Sequence, residues 1–281
     1  MKRTIAVLGM VALAVVAAEL WAGDHQQQGG GHGGGAHWGY SGPEGPENWG
    51  KLGFPLCSSG QNQSPIDIGA AATSDLDEIV FSYAPSPIQV KNNGHTVQFD
   101  IKGGSFITVG GKRFDLAQFH FHSPSENTVQ GKVFPMEVHL VHKSEAGELA
   151  VVGILMDAEE GKQNGGQDKG AATHGGGGGT WDLVMGALPA ASGLGLTSET
   201  TIDALQLLPH DRKSYYHWMG SLTTPPCTEG VRWFLMKQPV TISANQLSRF
   251  RTIFSNNARP IQPMNSRNLL FKGGSGQEGG H

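Results

Sequence analysis

Apolar residues in this chain fall mostly at every second position, in short runs punctuated by Gly, Asn, Pro or Ser. Side chains alternate between the two faces of a strand, so runs of this kind predict half-buried strands. They recur at Ile88–Val90, Thr96–Ile101, Ser105–Val109, Arg113–His122, Met136–His142, Leu149–Met156, Tyr215–Gly220 and Val231–Lys237. Helical spacing is sparse by comparison. Trp181, Val184 and Leu188 lie three and four apart within Thr180–Leu188, and Ser243-x-x-Gln246 offers a capping box ahead of Leu247, Phe250 and Phe254. No interval repeats at a fixed period, which argues against a propeller or solenoid. The pattern predicts a mainly β (α+β) chain: one domain from His37 to Lys272, built on a large sheet with peripheral helices.

The ends of the chain read differently. Lys2 and Arg3 precede an apolar run from Ile5 to Ala18, and Leu20-Trp21-Ala22 ends in a small residue, the pattern of a secretory signal peptide over residues 1–22. Cleavage falls after Ala22, or alternatively after Ala18. The run is shorter than the ~20 residues needed to span a bilayer, so no membrane anchor is expected. Residues 23–36, 161–179 and 273–281 are rich in Gly, Gln and polar residues; they carry too little apolar surface to offset ordering entropy and are expected to be a mobile linker, insert and tail. Their histidines, with the adjacent His37 (His25, His32, His37, His174 and His281), are too sparse and irregular to suggest a metal tract.

These segments explain why 42 of the 281 residues are Gly, about twice the usual ~7%. With 20 basic and 24 acidic residues the formal net charge is −4. No bulk basic charge is present to hold a nucleic-acid backbone or an anionic membrane. Export leads to an oxidising compartment, the periplasm or the extracellular space. There the only two cysteines, Cys57 and Cys227, most simply form one disulfide, with two buried free thiols as the alternative.

The chemistry concentrates in two of the predicted strands. In Gln118-Phe119-His120-Phe121-His122, Gln118, His120 and His122 share one face. In Met136–His142, Glu137, His139 and Val141 face one way and Val138, Leu140 and His142 the other. If the strands pair antiparallel through the turn containing Ser123-Pro124-Ser125, His139 converges with His120 and His122. Three neutral imidazoles on a rigid sheet make a Zn²⁺ site with one tetrahedral position left for water, which is the catalytic arrangement. Gln118 and Glu137 each stand two residues before a ligand on the same face, placed to accept an imidazole N–H and fix its tautomer. His142 points away from that face and reads as a core histidine.

The chain resembles an α-class carbonic anhydrase of the secreted bacterial kind. The resemblance rests on His37-Trp38-Gly39-Tyr40, Gln63 to Ile68, Asn92-Asn93-Gly94-His95, Gln118 to Glu126, Glu137 to His142 and Ser221 to Cys227, and spans nearly all of residues 37–272. It implies a central, mostly antiparallel twisted sheet of about ten strands. It also implies reversible hydration of CO₂ to bicarbonate and a proton by a zinc-bound hydroxide, and inhibition by sulfonamides and anions. On the same resemblance, Thr223 accepts a hydrogen bond from that hydroxide because its own proton is committed to Glu126. Val141, Val151, Leu222, Thr224, Val231 and Trp233 form the substrate pocket, and His95 is the proton shuttle. Read without it, Thr223 is a turn hydroxyl before Pro225, Glu126 a solvated loop carboxylate, and His95 an ordinary hairpin histidine after Asn-Asn-Gly. Two rival readings are a zinc-bearing but inactive binding or scaffold protein, and a zinc peptidase. The second lacks a His-Glu-x-x-His motif and has its ligands on strands instead of a helix.

Overall fold

The structure, a computed structural model, describes residues 37–159 and 179–273. The expected signal peptide (residues 1–22) and linker (23–36), and nearly all of the expected Gly-rich insert and tail, lie outside the described residues. In chain order the strands are β1 (Asp67–Ile68), β2 (Ala72–Thr73), β3 (Val80–Ser82), β4 (Ser86–Asn92), β5 (Val97–Asp100), β6 (Phe106–Val109), β7 (Lys112–His122) and β8 (Thr128–Val129). They continue with β9 (Met136–Lys143), β10 (Leu149–Ala158), β11 (Gly195–Ile202), β12 (Tyr215–Ser221), β13 (Glu229–Met236), β14 (Val240–Ile242) and β15 (Leu270–Lys272). Three α-helices, α1 (Leu56–Ser59), α2 (Thr180–Gly186) and α3 (Ala244–Arg251), flank them. Each of the eight predicted runs falls on a strand.

One sheet runs in the order β11-β4-β5-β7-β9-β10-β13-β12-β15-β2, with β6 and β14 attached to β7 and β10 and β3 to β6. Its pairs are antiparallel except β10 with β13, β10 with β14, and β15 with β2. The strands β7 and β9 lie near the middle, each with a paired strand on both sides. The connection between them is longer than a tight turn: it runs from Ser123 to Pro135 and includes β8, which pairs with β1 apart from the main sheet.

A bulge in β7 decides what faces where. Leu116 pairs with His142 and Gln118 with Val141, so Ala117 is an extra residue and the alternation changes phase. Phe114 and Leu116 before it, and Phe119 and Phe121 after it, therefore all enter the same large apolar core. That core holds Phe99 stacked on Phe119 at 4.8 Å and is joined by Trp181 and Val184 of α2 and Leu247 and Phe250 of α3. Gln118, His120 and His122 are left on the opposite face. There a second apolar cluster gathers Val141, Val151, Leu155, Trp218, Leu222, Val231 and Trp233.

Helix α3 starts as the sequence predicts. Ser243 Oγ accepts from Gln246 N at 3.2 Å and Gln246 Oε1 accepts from Ser243 N at 3.0 Å. Phe254 lies beyond the helix, its ring 6.1 Å from Phe250. Strand β11 escapes a hydrophobic-pattern reading because it is an edge strand: its Thr, Ser and Glu side chains are mostly exposed, so nothing requires apolar alternation. Cys57 and Cys227 are joined in a disulfide across 170 positions of sequence. Among the described residues no helix is long and apolar enough to cross a membrane.

His142 lies on the core side of β9, fully buried, with its Nε2 2.7 Å from the Tyr83 hydroxyl. Burial pushes its pKa down to about 3. The folded value lies below the unfolded ~6.5, so the unfolded chain binds the proton more readily. The stability this group contributes is therefore complete above about pH 6.5 and is lost as pH falls toward 3. Up to ~1.4 kcal/mol per pH unit of the acid slope should come from this one proton. Urea unfolding of the zinc-loaded protein between pH 6.5 and 4 should show a shallower slope for His142→Phe than for the wild type; equal slopes would count against a buried neutral His142.

Candidate metal centre

Strands β7 and β9 pair antiparallel with His120 opposite His139 and His122 opposite Glu137. The three histidines converge, each offering one ring nitrogen, and these atoms all lie within 4.8 Å of one another. His122 and His139 are buried and His120 keeps partial exposure. The second nitrogen of each ring has an oxygen acceptor within 3.0 Å. Gln118 Oε1 lies 2.9 Å from His120 Nδ1, the Asn257 carbonyl 2.8 Å from His122 Nδ1, and Glu137 Oε1 3.0 Å from His139 Nε2. That fixes the tautomers and leaves His120 Nε2, His122 Nε2 and His139 Nδ1 as the free donors.

The donor set suits a metal ion. Desolvation by burial holds the pKa of His120 and His139 well below its ordinary value and that of His122 at about 4, so all three rings are neutral near pH 7. A neutral imidazole is the ligating form. His122 Nε2 is a buried polar atom with no hydrogen-bond partner in the protein, a cost that a metal ion at the convergence point removes. Three imidazole donors on a fixed frame match a catalytic zinc centre better than a closed structural one.

Glu126 is no solvated loop carboxylate. It is buried, with Oε2 3.4 Å from His122 Nε2 and 3.9 Å from His139 Nδ1. Burial raises its pKa well above the usual carboxylate range, opposed chiefly by the Arg259 backbone N–H, which donates to Oε1 at 2.8 Å, and by the Thr223 hydroxyl. Glu137 is likewise raised by burial and opposed by Asn127. Its Oε2 accepts from the backbone N–H groups of Glu126 at 2.9 Å and Asn127 at 2.8 Å, and its Oε1 from Asn127 Nδ2 at 2.7 Å. One carboxylate thus contacts a ligand histidine and fixes the loop that carries the other.

Beside these groups lies the second apolar cluster, which contains Val141, Val151, Leu222, Val231 and Trp233; the indole of Trp233 meets the His139 ring edge-on at 4.9 Å. Thr224 follows Thr223 on the turn closed by Leu222 N to Thr228 O at 2.9 Å and Cys227 N to Thr224 O at 2.9 Å. His95 sits in the β4–β5 hairpin, where Asn93 Oδ1 accepts from His95 N and Thr96 N at 2.9 Å each and Gly94 takes φ +86°. Its ring stacks on Trp38, centroids 3.7 Å apart and planes 7° off parallel. Burial in that position, with the nearby His37, pushes its pKa down to about 4, below the neutral range the shuttle role requires.

The model of the eukaryotic-type carbonic anhydrase family matches residues 44–272. The chain belongs to that family. It is 42% identical over 243 residues to a carbonic anhydrase of Neisseria gonorrhoeae, covering 85% of this chain and 89% of that one. It is 38% identical over 275 residues to one of Klebsiella pneumoniae, covering 96% of this chain and 100% of the relative. Among solved structures, the α-carbonic anhydrase of Thermovibrio ammonificans in complex with the inhibitor sulfanilamide aligns with a TM-score of 0.75 at 40% identity, covering 84% of this chain and 100% of that one.

Three residues of this carbonic anhydrase that bear on the centre escape a reading of the sequence alone. Asn257 offers His122 a backbone carbonyl, which any residue type carries, while its side-chain Nδ2 donates to Phe121 O at 2.9 Å and His95 O at 3.1 Å. Arg259 reaches Glu126 by its backbone N–H. Asn127 follows Glu126 directly, but only the fold shows it gripping Glu137. No spacing rule singles out such contacts, because they join loops to strands far apart in sequence.

If zinc is held by the three converging imidazoles, replacing His120, His122 or His139 by Ala should abolish its stoichiometric binding, whereas Gln118→Ala or Glu137→Gln should weaken it about 10–100-fold. Zinc content by atomic emission after dialysis against a graded chelator series separates the two groups; full occupancy in all three histidine variants would refute the site.

Proposed function

We propose that this chain catalyses the reversible hydration of CO₂ to bicarbonate and a proton with zinc held by His120, His122 and His139. The observation that carries the reading is the placement of one acidic acceptor, Glu126, beside the free donor atoms of two of the three converging histidines, His122 and His139, and within reach of the Thr223 hydroxyl. When bound, zinc supplies Lewis acidity that lowers the pKa of a water ligand toward neutrality, for which carbonic anhydrases are themselves the standard example. The Thr223 hydroxyl, its proton committed to Glu126, can only accept from the attacking oxygen, and so turns a lone pair of that oxygen toward the substrate. CO₂ is apolar, and Val141, Val151, Leu222, Val231 and Trp233 offer it an apolar wall, while Thr224 lies on the turn that carries Thr223.

His95 carries the proton away. Stacked on Trp38 its ring is too weak a base for the task, so we assign the working position to a ring swung off Trp38 into solvent, where its pKa returns toward the ordinary ~6.5. Asn257 holds the carbonyl of His95 and thereby keeps the hairpin next to the ligand strand. The Lys2–Ala22 segment and the Cys57–Cys227 disulfide support export, to the periplasm in a cell with two membranes. Sulfonamides and small anions are the expected inhibitors.

A stopped-flow pH-indicator assay tests the whole reading: rapid CO₂ hydration that is suppressed by sulfanilamide and by zinc removal, and restored by zinc. A folded, zinc-loaded chain without activity would point to a binding or scaffold role. For the shuttle, His95→Ala should lower kcat in weak buffer while sparing kcat/KM, with imidazole restoring the rate. Wild-type kcat for hydration in weak buffer should rise with pH through an apparent pKa near ~6.5. A midpoint near the stacked ring's value, or an unchanged kcat in His95→Ala, would remove His95 from the proton path.

A further inference from the structure

The Gln63–Pro65 stretch and the loop after α3 supply no side-chain donor to the metal, yet they meet in a buried polar cluster next to Glu126. Arg259 and Gln63 are each 3% exposed and Ser64 is fully buried. The backbone N–H and both terminal nitrogens of Arg259 are used. Its backbone N–H donates to Glu126 Oε1 at 2.8 Å. Its Nη1 donates to Gln63 Oε1 at 2.9 Å and to the Ser64 carbonyl at 2.7 Å, and its Nη2 to the Cys57 carbonyl at 2.8 Å.

Two routes then lead from the guanidinium to the turn that carries Thr223. Gln63 passes the contact on, donating from Nε2 to the Cys227 carbonyl at 3.0 Å, and Cys227 N donates to Thr224 O at 2.9 Å. The second route is covalent, from Cys57 to Cys227. A buried guanidinium whose direct partners are neutral oxygens is expensive in stability, and an apolar side chain would fill the space at lower cost. What it provides is geometry, because a planar fork reaches three acceptors at fixed angles and a lysine does not.

We propose that Arg259 is a positioning residue for CO₂ hydration. Its backbone fixes Glu126, and its guanidinium, through Gln63 and the Cys57–Cys227 bridge, fixes the turn bearing Thr223, so one residue sets the hydroxyl against its acceptor. The inference rests on the reading that the Thr223–Glu126 pair orients the attacking oxygen.

The test is a double-mutant analysis of kcat/KM for CO₂ by stopped flow on zinc-loaded protein. Arg259→Lys should lower kcat/KM about tenfold at full zinc content, the scale of loss that follows a small misplacement of reacting groups, and imidazole should not restore it. Combined with Cys57→Ser/Cys227→Ser the losses should be less than multiplicative, because both changes loosen one turn. In a Thr223→Ala background Arg259→Lys should add nothing. A purely structural role would lower the unfolding midpoint without this dependence on Thr223. Should Arg259→Lys not fold, Gln63→Met cuts one route with Arg259 in place and should cost kcat/KM about two- to fivefold. Unchanged kcat/KM in the folded variant, or an undiminished loss in the Thr223→Ala background, overturns the proposal alone. A Thr223→Ala enzyme with wild-type kcat/KM overturns the underlying reading and this proposal with it.

Discussion

The strand register between β7 and β9 is the constraint on which the rest depends. Side chains alternate with period two, so a slip of one residue would send His120 and His122 into the aromatic core and bring Phe119 and Phe121 to the metal face. The apolar groups prevent this. Phe99, Phe119 and Phe121 pack as a stacked and edge-on set at 4.8 to 6.3 Å, and burying three aromatic rings outweighs any gain from an altered pairing. The bulge at Ala117 extends the same logic, since it lets Phe114 and Leu116 share the core with Phe119 and Phe121 without a change in the direction of the histidines.

On the metal face the dominant cost is electrostatic. Two carboxylates, an arginine and three imidazoles are gathered in or beside the centre, and burial alone would neutralise the acids. The structure opposes that with hydrogen bonds instead of solvent: three from Asn127 and the Glu126 backbone to Glu137, and others from Arg259 and Thr223 to Glu126. Each such contact also restricts position, so the groups that oppose neutralisation of the acids are the groups that aim them. The disulfide and the Gln63–Arg259 contacts attach this arrangement to the segment ahead of β1, which explains why residues remote from the ligand strands share in the site.

Much of this was legible in the sequence for a physical reason. A strand's alternation is local, so Gln118, His120 and His122 can be placed on one face without knowing the rest of the fold, and the same holds for Glu137 and His139. What stayed hidden depends on tertiary contact. The carbonyl of Asn257 and the N–H of Arg259 carry no residue-type signal. The extra residue in β7 does mark the sequence, as a break in the apolar alternation between Leu116 and Phe119, but only the pairing with β9 shows it to be a bulge. The polar edge strand β11 has no buried face to impose a pattern. His95 was legible as a hairpin residue from Asn92-Asn93-Gly94, but its stack on Trp38 joins it to a segment anchored elsewhere, by Trp49 at 5.2 Å, and burial there, with His37 nearby, is what depresses its basicity.

The central claim is that two adjacent strands hold one zinc ion through three imidazoles with tautomers fixed from behind. Anomalous diffraction at the zinc edge from crystals of the metal-loaded protein tests it most directly. The account predicts a single strong peak about 2.0–2.1 Å from His120 Nε2, His122 Nε2 and His139 Nδ1. A peak bound through the opposite nitrogen of any of these rings, a peak displaced to other residues, or none at this site would contradict it.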